Sequence, residues 1–241
     1  MDKKVILITG ANRGLGFHLA KVLAAPDSII ILGCRRFESG KEIQKHITYR
    51  GGHSQIVQLD LRDKQDLVRL EQVLDQIGYL DILINNSGVF SDVYDSTIQS
   101  ITDDIILEMV QVNMVAPLQL TKLCLSFLLK RKESAVFNVI SDLADYHAPD
   151  GENTLYRMTK SALLAMTVNL AYEFKDTGLK AFAIDPGWMK TDMGGDDAPD
   201  SPEEIAESVK YMIEDRGQCI SGCVYYKGII SEWWNKNAKY G

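Results

Sequence analysis

Tyr156 and Lys160, four residues apart in Tyr156-Arg-Met-Thr-Lys160, follow an N-terminal segment that reads Thr9-Gly10-Ala-Asn-Arg-Gly14-Leu-Gly16. On a helix, a spacing of four puts the phenol and the ammonium on one face. A free tyrosine, with a pKa of about 10, holds its proton too tightly for acid–base work at neutral pH; a neighbouring cation stabilises the phenolate. The glycines suit a different task. Gly10 permits a tight turn, while Gly14 and Gly16 let the backbone approach a pyrophosphate at the positive end of a helix. Each pattern alone is weak. Together, about 140 residues apart, they point to proton transfer beside a bound nucleotide.

The elements that must position these groups alternate along the chain. Short β-branched or apolar runs mark strands at 5–9, 29–33, 55–59, 81–85, 135–140, 180–184 and 222–226. Several are almost continuously apolar, as parallel strands covered on both faces must be. Helical patterns occupy 14–23, 63–77, 103–130, 155–175 and 202–214, and Ser201-Pro-Glu-Glu is a helix start with Ser as N-cap and Pro at the first position. Pro117 inside 103–130 predicts a kink or local break. This alternation implies an α/β doubly wound parallel sheet with right-handed crossovers. The longest irregular stretches, 91–102, 142–154 and 187–199, follow strands at their C-terminal ends, where open sheets bind ligands. The reading is a single domain over 1–241.

The second strand ends in Gly33-Cys34-Arg35-Arg36. An acid there would receive a ribose 2′-hydroxyl; a base favours a 2′-phosphate, so Arg35, with Arg13, selects NADP(H) over NAD(H). Asp60 follows the third strand, placed to cap the loop near an adenine amino group. Asn85-Asn86-Ser87-Gly88 closes the fourth, with Gly88 allowing close approach of a cofactor.

With 241 residues, 46% of them hydrophobic, the chain can bury a substantial core, and a formal charge of −7 argues against a nucleic-acid or anionic-membrane surface. No apolar run approaches a membrane span and the N-terminus has no signal-peptide pattern, so the expected location is cytoplasmic. Cys34, Cys124, Cys219 and Cys223 lack zinc or disulfide spacing and the four histidines are scattered; no metal site is read.

The order and separation of Thr9–Gly16, Asp60, Asn85–Gly88, Asn113, Ser141, Tyr156, Lys160 and Pro186-Gly187 resemble the short-chain dehydrogenase/reductase family in its single-domain, carbonyl-reductase-like form, over nearly the whole chain. The resemblance implies a Rossmann-like seven-stranded parallel sheet of order 3-2-1-4-5-6-7 with helices on both faces. It also implies hydride exchange between a nicotinamide and an alcohol or carbonyl carbon. Gly10, Asn12, Arg13, Gly14, Leu15 and Gly16 would belong to the cofactor turn, with Arg35, Asp60, Leu61, Asn86, Ser87 and Gly88 further along the nucleotide. Pro186, Gly187, Met189 and Thr191 would lie at the nicotinamide end. Tyr156 is the expected proton donor in reduction, its pKa lowered by Lys160, which also bonds the nicotinamide ribose. Ser141 would orient the substrate oxygen, and Asn113 resembles the family's proton-relay residue. The interval of 15 residues from Ser141 to Tyr156 is longer than the family's commonest spacing, and Asp142 stands where a small or hydroxyl residue is usual. A register shift would place that carboxylate in the site.

The expected substrate is a small carbonyl compound or its alcohol, held under a loop at about 187–202 that carries Trp188, Met193 and the pair Gly194-Gly195. Acids in this loop and in 142–152 suggest a neutral or cationic substrate, with Asp145 and Asp150 as the residues to neutralise. Phe90 and Tyr94 are candidate pocket walls; Trp233-Trp234 reads as packing across the sheet or a subunit contact. The long helices offer the surfaces through which this family forms homodimers and homotetramers. The competing reading is a non-catalytic dinucleotide-responsive protein on the same fold.

Overall fold

In the computed structural model, which describes residues 2–91, 97–215 and 218–237, one sheet runs through the molecule in the order β3-β2-β1-β4-β5-β6-β7-β8. β1 (Lys4–Thr9) lies between β2 (Ser28–Cys34) and β4 (Ile82–Asn85), with β3 (His53–Gln58) at one edge. β5 (Ser134–Val139), β6 (Leu179–Ile184) and β7 (Val224–Tyr226) continue the other half, all parallel. The seven-stranded order read from the sequence is therefore present. An eighth strand, β8 (Ile229–Ile230), adds an antiparallel edge through Tyr225↔Ile230 and Tyr226↔Ile229. Two residues are too few to show a period, so no pattern in the sequence marked it.

Alternation along β1 sends Ile6 and Ile8 into one core and Val5 and Leu7 into the other. The first core is roofed by α1 (Gly14–Leu23), α2 (Lys41–Tyr49) and α7 (Pro202–Glu214). The second is covered by α3 (Lys64–Ile77) and α5 (Ala116–Leu128), with α6 (Thr154–Glu173) adding Leu170. Buried on both faces, these strands read as unbroken apolar runs. The helix starts follow capping chemistry: Asp63 accepts from Gln65 N–H, Thr102 from Ile105 N–H, and Ser201 from Glu204 N–H. The sequence analysis did not assign α2, which buries only Ile43 and Ile47, nor the six-residue α8 (Glu232–Asn237).

The expected break in 103–130 lies just before Pro117. α4 (Asp103–Val110) passes into a wide π-helical turn, Gln111–Val115, in which Ala116 N–H reaches Gln111 C=O five residues back. Proline has no N–H to give the carbonyl four residues earlier, that of Asn113, so the ladder slips here and α5 restarts with Pro117 in its first turn.

Candidate active site

The loops after β1, β2, β3, β4, β5 and β6 meet at the C-terminal edge of the sheet around a cleft of about 400 Å³. Gly10 turns the chain with φ +65, and a Cβ there would come within 2.9 Å of Ser87 Oγ. Gly16 brings α1 directly onto the Gly10 carbonyl, where any side chain would collide. Gly16 is thus a packing residue behind the cleft, whereas Gly10, Asn12, Gly14 and Leu15 line it. The first turn of α1 has neither a side-chain cap nor an acid, so its N–H groups and dipole remain available to an anion.

At the far end the cleft is walled by Arg35, Arg36, Asp60, Leu61 and Arg62. Asp60 lines this end with its carboxylate already engaged by an arginine. Arg62 grips both of its oxygens, Nε to Oδ1 at 3.0 Å and Nη2 to Oδ2 at 2.8 Å, and this pairing holds its carboxyl below the usual range. Arg62 was not singled out from the sequence, because nothing in a lone arginine two residues on announces a fork-shaped clamp. Arg13 reaches across the rim to Asp192, Nη1 to Oδ2 at 2.9 Å, joining the first loop to the one after β6.

Beneath the cleft lies a buried polar chain. Asn85 Nδ2 donates to Thr121 Oγ1 and to Asn138 Oδ1, and Asn138 Nδ2 donates to Thr167 Oγ1. Asn86 ties β4 to β1 through Thr9 and Gly10 carbonyls, while Asn86 and Ser87 N–H groups donate to Thr9 Oγ1. Asn113 is fully buried. Its amide holds Val89 from both sides, accepting from Val89 N–H and donating to Val89 C=O, each at 2.8 Å. Asn113 does not line the cleft, but a Cβ on Gly88 would sit 3.5 Å from both Asn113 Oδ1 and Lys160 Nζ, so the three converge at one point.

Tyr156 and Lys160 share a face of α6, with Lys160 Nζ 5.4 Å from the centre of the Tyr156 ring. Both line the cleft. Lys160 is 3% exposed and donates to Val139 C=O at 2.9 Å; burial pulls its ammonium down to about 8. Phe90, a candidate pocket wall, packs edge-on against Tyr156 at 4.9 Å but lines neither cavity; Tyr94 lies outside the described residues. The expected lowering of the tyrosine by its lysine is not what the structure contains. Burial, then the charges of Asp142 and Asp185, push the Tyr156 phenol upward.

Ser141 follows β5 and does not line this cleft. Its Oγ accepts from Leu143 N–H at 3.2 Å and donates to Asp142 Oδ1 at 2.9 Å. Arg157, beside Tyr156, fastens the following loop through the carbonyls of Leu143, Asp145 and Ala148, and binds the Asp150 carboxylate. Asp150 therefore faces Arg157 rather than the mouth of a pocket. Asp185, 4% exposed, accepts from Trp233 Nε1 at 3.0 Å and Gly187 N–H at 3.1 Å.

After β6, Pro186, Met189 and Thr191 line the cleft, and Thr191 Cγ2 lies 3.5 Å from where a Cβ on Gly14 would sit. Trp188 Nε1 donates to Gly194 C=O at 2.7 Å, folding the loop on itself. Gly187 turns instead toward a second cavity of about 770 Å³ lined by Asp142, Asp145, Trp188, Asp200 and Trp233, among others.

A family model described as short chain dehydrogenase matches residues 4–202. Oxidoreductase UcpA of Escherichia coli is 31% identical over 215 residues, covering 86% of this chain and 77% of that one. A short chain dehydrogenase from Burkholderia cenocepacia, solved in complex with NADP, superposes with a TM-score of 0.83 at 25% identity, over 93% of this chain and 96% of the other. An NADPH-bound carbonyl reductase from chicken fatty liver gives 0.81 at 25% identity, over 97% and 100%.

Proposed function

The chain belongs to the short-chain dehydrogenase/reductase family of oxidoreductases, and from that premise we propose that it reduces a ketone or aldehyde to an alcohol with NADPH. The observation that carries this reading is the placement of Tyr156 and Lys160 together at one end of a cleft whose other end holds Arg35 and Arg36. The cleft fits a dinucleotide by its own chemistry: a side-chain-free turn at Gly10, an uncapped α1 start, and guanidinium groups for a 2′-phosphate. In this reading Arg35 and Arg13 hold the 2′-phosphate, and Asn12, Gly14 and Leu15 the pyrophosphate. Asn86, Ser87, Gly88, Pro186, Met189 and Thr191 enclose the nicotinamide half. The relatives solved with NADP and NADPH support the choice of cofactor.

The bound nicotinamide would supply a hydride to the carbonyl carbon. Tyr156 gives the carbonyl oxygen its proton, and its buried environment keeps the phenol in the protonated form that reduction consumes. Lys160, charged below about pH 8, stabilises the phenolate left behind. Ser141 orients the substrate oxygen, and Asn113 fixes the Val89 backbone beside Lys160. Residues 1–241 act as one catalytic unit with 187–202 as the substrate loop.

The test is NADPH oxidation against aldehydes, ketones, quinones and diketones, with Tyr156→Phe in parallel. Turnover that the substitution abolishes, with NADPH binding retained, is the expected result. Turnover unchanged in Tyr156→Phe would overturn the assignment. NADPH binding without turnover of any carbonyl would favour the binding-protein reading.

A further inference from the structure

We propose that Asp142 makes the substrate pocket select carbonyl compounds that carry a hydrogen-bond donor, a hydroxyl or an ammonium, on the carbon next to the carbonyl. This rests on the reductase reading, with Ser141 as the group that orients the substrate oxygen.

A serine hydroxyl has one proton. In this site it is directed at Asp142 Oδ1, 2.9 Å away, while the same oxygen accepts from Leu143 N–H. An arriving carbonyl oxygen is an acceptor, so Ser141 can bond it only by turning that proton away from Asp142. The carboxylate, exposed in this structure, then loses its serine donor, which only water or the substrate can replace. A plain ketone offers nothing in exchange. A substrate hydroxyl or ammonium beside the carbonyl can take over the Asp142 oxygen as the Ser141 proton swings to the carbonyl.

The segment has little freedom to escape this competition. Val139 C=O is held by Lys160, Leu143 C=O by Arg157, and Ala144 C=O by Ser161 Oγ. The serine and its carboxylate are thereby pinned to the helix that bears Tyr156. Nor do the other carboxylates along the second cavity need a substrate donor. Asp145 accepts from His147 N–H, Asp185 from Trp233 and Gly187, Asp200 from Tyr226 Oη and Lys227, and Glu232 pairs with Lys236. Asp142 is the acid there that accepts a hydrogen bond from the serine of the site. Its charge also helps to hold up the Tyr156 phenol, so a donor brought by the substrate would ease departure of the tyrosine proton. A carboxylate in the same position would meet Asp142 as a like charge.

Three four-carbon probes separate these cases: 3-hydroxy-2-butanone, 2-butanone and 2-oxobutanoate. They would be compared by kcat/KM for NADPH oxidation in the unmodified enzyme, Asp142→Ala, Asp142→Asn and Tyr156→Phe. The unmodified enzyme should prefer the hydroxyketone to butanone by about tenfold to a hundredfold, the range expected for one hydrogen bond to a charged acceptor. Asp142→Ala should bring the two within about threefold, through loss on the hydroxyketone and gain on butanone. Asp142→Asn, which keeps an acceptor, should retain part of the hydroxyketone preference and relieve the discrimination against 2-oxobutanoate. NADPH affinity, read by fluorescence, should stay unchanged in both variants, since Asp142 does not line the dinucleotide cleft. A preference ratio that is the same in the unmodified enzyme and Asp142→Ala overturns the inference while Tyr156-dependent turnover leaves the reductase reading standing. Turnover of none of the probes or of the wider carbonyl panel, with NADPH bound, overturns both.

Discussion

Replacing Lys160 by methionine should remove a pH-dependent strain on the fold while abolishing turnover. Lys160 is 3% exposed, and among the described residues its ammonium pairs with no carboxylate; its recorded hydrogen bond goes to Val139 C=O at 2.9 Å. Burial moves its pKa from 10.5 to about 8. The unfolded chain therefore binds the proton more tightly than the folded one. The resulting penalty is full below about pH 8 and is relieved as the pH rises towards 10.5. At about 1.4 kcal/mol per pH unit, a fall from 10.5 to about 8 costs the folded state about 3 kcal/mol at pH 7. Methionine has a similar length and no charge, so it escapes this penalty, but it leaves the Val139 carbonyl without its donor, about 1–3 kcal/mol at any pH. The two contributions separate in a pH series. Urea unfolding of both proteins from pH 7 to 10.5 should show the unmodified enzyme gaining about 3 kcal/mol on the variant across that span. Parallel stability curves would refute the claim that the fold carries a buried cation at neutral pH. The same preparations should show kcat/KM for NADPH oxidation falling by at least about a hundredfold in Lys160→Met, since the phenolate would lose its counter-charge.

Arg35→Ala should weaken NADPH relative to NADH by about tenfold to a hundredfold, as expected for lost guanidinium–phosphate bonds; fluorescence titration with both cofactors measures the ratio. Asp192→Asn should tighten NADPH by about two- to fivefold at low salt, because Arg13 is released from an exposed pair of modest strength, and the gain should shrink as ionic strength rises. Asn138→Ala should destabilise the protein by about 2–4 kcal/mol, since it strips partners from the buried Asn85 and Thr167. Urea midpoints at constant slope would measure that loss.

The parts of this molecule that were legible beforehand are those in which a local stretch of chain carries its own signal. The apolar runs of β1, β4, β5 and β6 mark central parallel strands because both faces of each are buried. Ser201-Pro-Glu-Glu starts α7 where the capping chemistry requires. The edge strand β3 was placed two residues late at its start because His53 and Ser54 carry no apolar signal. Pro117 signalled a break, but its position at Asn113 followed from the hydrogen-bond ladder, which runs four residues backward from the proline. The clamps of Arg62 on Asp60 and of Arg157 on the loop after β5 escaped notice, since a single arginine does not reveal which carbonyls or carboxylates it will meet.

By itself the chain's order of residues determined that a phenol and an ammonium share a helix face, that glycines open the first helix, and that arginines follow the second strand. These are consequences of helical periodicity and local backbone freedom, which act over a few residues. The tertiary structure alone decided how the charges are disposed. It sent the Lys160 ammonium to the Val139 carbonyl, set Asp142 and Asp185 near Tyr156, and turned the phenol upward rather than downward. Electrostatic energies depend on distance and burial, and residues 139, 142, 156, 160 and 185 acquire both only when the sheet brings its strand ends together.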